Sequence, residues 1–437
     1  MNYTHLLEKY KPTREEVERR NLLVQRVIYE LKAEIQKRDL DADPILVGSA
    51  ARGTSLKNSD VDVFVVFSRK YDRNVLERIG LELGYEIIPD GVAKYAEHPY
   101  VSGIIDSVKL DIVPCYKIER GTKIISSVDR TPLHTEFLNS VMTDEERNQA
   151  IILKLFLKRL GIYGSELKRE GFSGYVTELC IYYFKTFEKF LENVRSSRGQ
   201  LVIGPKSMDF KTAVILMDPV DEHRNAASSV SAKALSILRM GASQFLSNPS
   251  VESIDPEVSI SVKRHPKDRG TYLLLVEFQK PDMVDDIIFP QIELMKRNLM
   301  SFAKEKDFFA LNIHSHVSGE NVQILLELES GKLSEVKIHQ GPPTDNGNAT
   351  HFYEKYKNDP RVARGPYIIK DRVYVELYRE ETRFREIFLN NLNKINFGHN
   401  LNNIKSRLKI SESRKRITSS DVYLDFIHTI EPPPLSP

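Results

Sequence analysis

Asp60 and Asp62 stand two apart in the run DVDVFVVF. Side chains in a strand alternate with a period of two, so both carboxylates leave the same face of an otherwise apolar strand. Two like charges left half-buried and unpaired are costly, and the remedies are a raised pKa or a bound cation. Oxygen donors suit a hard ion such as Mg²⁺. Asp111, in VKLDIVP, is a third lone carboxylate in an apolar strand pattern, on the same face as Lys109 and Val113. Three carboxylates from two adjacent strands can bridge two metal ions about 3.5–4 Å apart, the arrangement used for in-line phosphoryl and nucleotidyl displacement. Taken alone, an Asp-X-Asp pair also fits a strand end facing solvent.

Gly48-Ser49 shifts that balance. The pair follows the apolar run Ile45-Leu46-Val47, precedes helix-compatible sequence and lies just upstream of Asp60. Glycine lets backbone approach a triphosphate, while the Ser49 hydroxyl and exposed amides can bind it. Arg52, Thr54 and Lys57 add cationic and hydroxyl donors in the same loop.

The elements that must position these groups are legible in the periodicities. From Arg14 to Lys37 the residues Val17, Leu22, Val24, Val27, Ile28, Leu31 and Ile35 recur at roughly helical spacing, which predicts an amphipathic helix. Strands are expected at Ile45–Val47 and Val61–Phe67 and near Tyr85–Ile88, Tyr100–Ile105 and Ser107–Val113, with a helix-prone stretch at Tyr71–Leu83. Helices packed on a mixed sheet follow. Beyond about Pro132, Glu145–Leu160 and Tyr175–Val194 read as long helices with few strand signals between them. From about Asp255 the strands return: Tyr272–Phe278, a helix across Pro290–Lys306, then Ala310–Ser315 and Val322–Leu328. That order resembles a ferredoxin-like or RRM-like layer, without the aromatic stacking signature of the latter. After about Gly341 come turns and helical segments, and Glu431–Pro434 reads as a frayed end. The expected fold class is α+β and multidomain, with a mixed-sheet domain at 1–140, a helical one at 141–255 and an α/β one with a tail at 256–437.

The chain has 437 residues, 41% hydrophobic and 28% charged, with a formal net charge of +2. That length predicts several domains. The expectation is a soluble, cytoplasmic protein without a membrane span, because no long apolar run or secretory leader is evident. Cys115 and Cys180 are the only cysteines, which argues against a disulfide framework or a thiolate zinc site. A nucleic-acid partner must be argued from local charge. Lys405, Arg407, Lys409, Arg414, Lys415 and Arg416 crowd a stretch opposed by Glu412 alone, a pattern that suits RNA phosphates and equally a solvated helix face.

Val47-Gly48-Ser49, the spacing to Asp60-Val61-Asp62, and Asp111 resemble the nucleotidyltransferase superfamily that includes poly(A) polymerases and class I CCA-adding enzymes. The narrower resemblance, to archaeal CCA-adding enzymes, is carried by YAEHPYV (Tyr95–Val101), DIVPCYK (Asp111–Lys117), SSVDRTPLH (Ser126–His134), GIYGSE (Gly161–Glu166), GFSGYVTEL (Gly171–Leu179) and DPVDEHRNAA (Asp218–Ala227). KPDMVDDIIFPQIE (Lys280–Glu293) is the clearest echo in the C-terminal third.

The resemblance implies ligation of two Mg²⁺ ions by Asp60, Asp62 and Asp111. It also implies nucleotide contacts from Gly48, Ser49, Arg52, His134, Lys154 and Tyr163, and places Arg224 at the incoming base. Glu97 and His98 fall in a motif suited to the RNA end or the nucleotide, although His98 also fits a structural histidine and Lys154 a snorkelling surface lysine. The implied partners are tRNA, ATP and CTP, with a homodimer. Family members carry an aromatic after Gly-Ser and a bulky residue after the Thr, whereas this chain has Ala50 and Ser55. A poly(A) polymerase or oligoadenylate synthetase is the rival reading, since the carboxylates are common to the superfamily. A decayed, non-catalytic RNA-binding protein is a third.

Overall fold

The computed structural model describes residues 1–95, 97–119, 122, 124–166, 169–258, 269–283 and 285–429. They fall into two compact units, one within Met1–Val262 and the other within Lys263–Pro432.

The first unit opens with α1 (Thr4–Tyr10) and α2 (Arg14–Lys37), followed by β1 (Ala42–Val47), the single helical turn α3 (Gly48–Ala51) and β2 (Val61–Phe67). Then come α4 (Arg73–Ile87), β3 (Val92–Tyr95), β4 (Pro99–Ile105) and β5 (Val108–Tyr116). The sheet order is β1-β2-β5-β4-β3, with β2 and β5 parallel and the other neighbours antiparallel, the mixed sheet expected from the sequence. Thr13 caps α2 in a capping box with Glu16, and the buried Leu23, Val24, Val27, Leu31 and Ile35 lie against the sheet residues Val61, Val63, Val65 and Ile112.

Tyr85–Ile88 is not a strand: α4 runs through to Ile87. Its buried positions Leu76, Ile79, Gly80, Leu83, Gly84 and Ile87 keep helical spacing across that segment. Gly80 and Gly84 let the helix lie close on the sheet, since a Cβ on either would come within 2.5 Å of Pro114 or Val101.

Next follow α5 (Arg130–Val141), α6 (Asp144–Arg159), α7 (Gly174–Phe184), α8 (Phe187–Ser196), β6 (Leu201–Ile203), β7 (Val214–Asp218), β8 (Asp221–Asn225) and α9 (Ala232–Ser247). Their core gathers Ile151, Phe156, Leu179, Phe187, Phe190 and Phe245. The single helix expected over 175–194 is two helices, because Lys185 takes a positive φ of 68° and Thr186 caps the second. The sheet β6-β7-β8 was also unforeseen. All five residues of β7 are buried, so its sequence shows no alternation to read.

The second unit contains β9 (Tyr272–Gln279), α10 (Asp285–Glu305), β10 (Ala310–Ser318), β11 (Asn321–Leu328), β12 (Val336–Pro343), α11 (Asn348–Tyr356), β13 (Val362–Ile369), β14 (Arg372–Tyr378), α12 (Phe384–Asn391), β15 (Lys409–Ser411), α13 (Arg414–Thr418) and α14 (Asp421–Thr429). One sheet, ordered β10-β11-β9-β15 with every neighbour antiparallel, has the ferredoxin-like arrangement anticipated from the strand order. The helix expected from Pro290 begins earlier, at Asp285, with Pro290 inside it. The tail, expected to be turns and helices, instead carries a second sheet, β12-β14-β13. Glu431–Pro434 lies outside the described residues. Among the described residues no helix is long and apolar enough to cross a membrane.

Candidate active site

Antiparallel pairing of β1 with β2 sets Val47 opposite Asp62, and parallel pairing of β2 with β5 sets Asp62 opposite Asp111. Two carboxylates therefore face one another across neighbouring strands, with Gly48 following directly on the strand beside them. Gly48 has φ 74°, and a Cβ there would come 2.3 Å from Asp62 Oδ2. The turn after β1 thus closes over a carboxylate only because residue 48 has no side chain. Burial pushes the pKa of Asp62 up to about 6, the charges of Asp111 and Asp60 push the same way, and Arg52 and Lys109 oppose them. Asp111 is buried and its Oδ1 has no hydrogen-bond partner. Asp60 is more exposed and is held by the Lys109 ammonium.

These donors suit a divalent cation. The shared negative charge, the partnerless buried oxygen and the all-oxygen chemistry each call for a hard positive ion. Among the described residues, no three His, Cys, Asp or Glu side chains are gathered closely enough to hold a metal ion as they stand.

A second group lies behind the loop. Arg52 donates from Nε to Glu178 Oε2 at 2.7 Å and from Nη1 to Thr135 Oγ1 at 3.2 Å. The Thr54 hydroxyl donates to the other oxygen of Glu178, and Lys154 Nζ donates to the Thr54 carbonyl at 2.7 Å. Glu178 is fully buried and Lys154 nearly so, which places Lys154 in the interior and not on a solvated face. Burial lowers the Lys154 pKa to about 8, with Glu178 opposing and Arg52 assisting. Tyr163 stands beside it, the ammonium 5.8 Å from the ring centroid, and burial raises the phenol pKa.

A third group converges on Asp218. His134 Nε2 lies 2.9 Å from its Oδ2, Arg224 Nη1 donates to the same oxygen at 2.7 Å, and Tyr175 donates to Oδ1 at 2.9 Å. The His134 and Tyr175 rings stack at 3.7 Å. Burial alone would raise the pKa of Asp218, but His134, the Val220 amide and Arg224 outweigh it and carry it down to about 2. Burial lowers the His134 pKa while Asp218 resists. Arg52 joins the three groups: its charge is felt at Asp62, Lys154 and His134.

The structure thus sets Gly48, with Ser49 next in the turn, against Asp62 and Asp62 beside Asp111, joins Arg52 to Lys154 through Glu178 and Thr54 with Tyr163 beside Lys154, brings His134 and Arg224 together at Asp218, and pairs Asp60 with Lys109. Glu97 and His98 make other contacts. His98 is buried with Nδ1 3.0 Å from Glu77 and Nε2 without a hydrogen-bond partner, while Glu97 receives a hydrogen bond from Ser127 and its carbonyl one from Arg73. Lys405, Arg407, Arg414 and Arg416 belong to the second unit. Arg416 is engaged by the largely buried Glu277, and Lys405 donates to the Asn393 carbonyl. Glu178, Asp218 and Tyr175 were not singled out from the sequence, although each falls within a motif that carried the resemblance, GFSGYVTEL or DPVDEHRNAA.

A mixed sheet carrying facing carboxylates under a Gly-Ser turn defines a nucleotidyltransferase, and residues 28–134 match the family model "Nucleotidyltransferase domain". Residues 148–254 match "tRNA nucleotidyltransferase, second domain", and residues 269–412 match "CCA-adding enzyme, C-terminal domain". The chain is 41% identical to the CCA-adding enzyme of Picrophilus torridus over 94% of this chain and 95% of that one. It is 38% identical to that of Thermoplasma volcanium, over 94% and 93%, and 33% identical to that of Methanocaldococcus jannaschii, over 88% of each. The chain belongs to the CCA-adding enzymes. Solved structures overlap it more loosely: a CdnC of E. coli MS115-1 with ATP covers 57% of this chain and 93% of that one, at a TM-score of 0.45 and 18% identity.

Proposed function

We propose that this enzyme adds C, C and A in turn to the 3′ end of tRNA from CTP and ATP, without a nucleic-acid template and with release of pyrophosphate. The observation that carries the reading is the register pair Asp62 and Asp111 beneath Gly48, in a chain that aligns with CCA-adding enzymes almost end to end. Asp60, Asp62 and Asp111 would hold two Mg²⁺ ions. Held there, such ions would supply Lewis-acid activation of the 3′-hydroxyl and charge neutralisation for the departing pyrophosphate.

The chain's own side chains position the reactants. Ser49 and the turn amides face the phosphates, and Arg52, Lys154 and Tyr163 supply donors to the triphosphate. Arg224, held by Asp218, retains guanidinium donors for the acceptor edge of cytosine or adenine, so one side chain serves both bases. His134, stacked on Tyr175, shares Asp218 with it.

The working division is a catalytic part at 1–140, a helical part at 141–255 and a tRNA-binding part at 256–437, acting as a cytoplasmic homodimer. Duplex RNA offers little direct base readout, so the tRNA arms would be recognised through phosphates and shape. Lys405, Arg407 and Arg414 are candidate contacts there, and Glu97 and His98 are candidates for the RNA end.

The test is primer extension on tRNA lacking its CCA end. CTP alone should give products longer by two nucleotides, and CTP with ATP should add one A and stop. A long homopolymer would point to a poly(A) polymerase, and tRNA binding without incorporation to a decayed enzyme.

A further inference from the structure

In the parallel register that sets Asp62 beside Asp111 and Val61 beside Leu110, the preceding residues are Asp60, immediately ahead of β2, and Lys109 on β5. A strand's period of two puts Lys109 on the face of β5 that carries Asp111. The contact follows: the Lys109 ammonium is bound to the Asp60 carboxylate. Both side chains are about two-fifths exposed, at 40% and 43%. A pair so exposed adds little to stability. Its placement is the notable feature, because it commits Asp60, two residues before Asp62, to a cation while Asp111 keeps a buried oxygen unpartnered. Lys109 also lies within electrostatic reach of Asp111 and Tyr100.

We propose that Lys109 is a tethered counter-cation that occupies the second divalent-ion position at Asp60. The nucleotide-free enzyme would then take one divalent ion, at Asp62 and Asp111. The second would enter only with a triphosphate, whose oxygens draw the Lys109 ammonium off Asp60. A lysine suits this role because its ammonium is a compact charge on a flexible stem. The inference rests on the reading of the carboxylates as a divalent-metal centre. It makes Lys109 a positioning residue that orders ion and nucleotide binding.

The experiment is Mn²⁺ titration of the full-length protein, read by the electron paramagnetic resonance of free Mn²⁺, with and without a nonhydrolysable CTP analogue. Wild type should bind one Mn²⁺ tightly without nucleotide and a second with the analogue. Lys109→Met should bind the second without nucleotide, tightened roughly tenfold or more, the scale of a unit charge acting on a divalent ion a few ångströms away. Lys109→Arg, which keeps the charge, should behave as wild type. Equal stoichiometry and affinity in wild type and Lys109→Met would overturn the proposal, as would two equally tight ions in nucleotide-free wild type. If wild type binds no Mn²⁺ even with the analogue, the metal-centre reading itself fails and this inference falls with it.

Discussion

Asp62 and Asp111 are register partners on parallel strands, two carboxylates side by side with one buried oxygen left unbonded. Apposed like charges in a water-poor site oppose folding and draw in cations. The arrangement therefore spends stability on readiness for a metal, and the groups around it show where that readiness can be disturbed.

Gly48→Ala should cut nucleotide addition by at least about a hundredfold. The new methyl meets Asp62 Oδ2, and alanine at φ 74° costs about 1–2 kcal/mol besides. Steady-state kinetics beside circular dichroism would check it, and near-normal addition would show that the turn has room to move.

Glu178→Ala strips a fully buried carboxylate from Arg52 and Thr54. The uncompensated guanidinium should cost roughly 3–5 kcal/mol in denaturant unfolding, and the KM for CTP should rise as the loop loosens. A loss below about 1 kcal/mol would mean that Arg52 finds water or another partner.

Lys154 titrates at about 8 in the fold, against an ordinary 10.5. If its ammonium meets the triphosphate, kcat/KM for CTP should fall above pH 8, since that ratio reports the free enzyme. Lys154→Arg should move the fall to higher pH. Stability has the opposite sign. Below pH 8 the fold bears the burial of an ammonium, and as pH rises from 8 to 10.5 the unfolded chain binds the extra proton, so this group's contribution to stability increases. A kcat/KM profile identical in the arginine variant would remove Lys154 from the nucleotide site.

Arg416→Ala should destabilise the protein by about 1 kcal/mol, because it frees a largely buried Glu277, while tRNA affinity and its salt slope stay near wild type. A drop in salt slope of about one would restore Arg416 to the RNA face.

The sequence conveyed the catalytic sheet well because local signals agreed there. A period-two carboxylate pair, a glycine after a strand and apolar runs of strand length all lead to one geometry. It failed where burial was complete or the pattern short: β7 shows no alternation, and the end of α4 reads as β-branched and aromatic until its three- and four-residue spacing is followed. Glu178 and Asp218 were overlooked for a related reason. Glu178 is a lone carboxylate whose partner Arg52 lies far off in the chain, and Asp218, although Arg224 is close in sequence, meets His134 and Tyr175 from distant segments. Lys109 was visible only as a neighbour on the face of Asp111, and its meaning emerged with the register.

The most direct test returns to Asp111. Asp111→Ala should leave the melting temperature unchanged or raised, because a repulsion at Asp62 is removed. It should also lower the rate of C addition to tRNA lacking its CCA end by at least about a thousandfold, the effect of losing several kcal/mol of charge stabilisation in the transition state. A folded Asp111→Ala protein that adds C, C and A at the wild-type rate would contradict the assignment of these carboxylates as the catalytic centre.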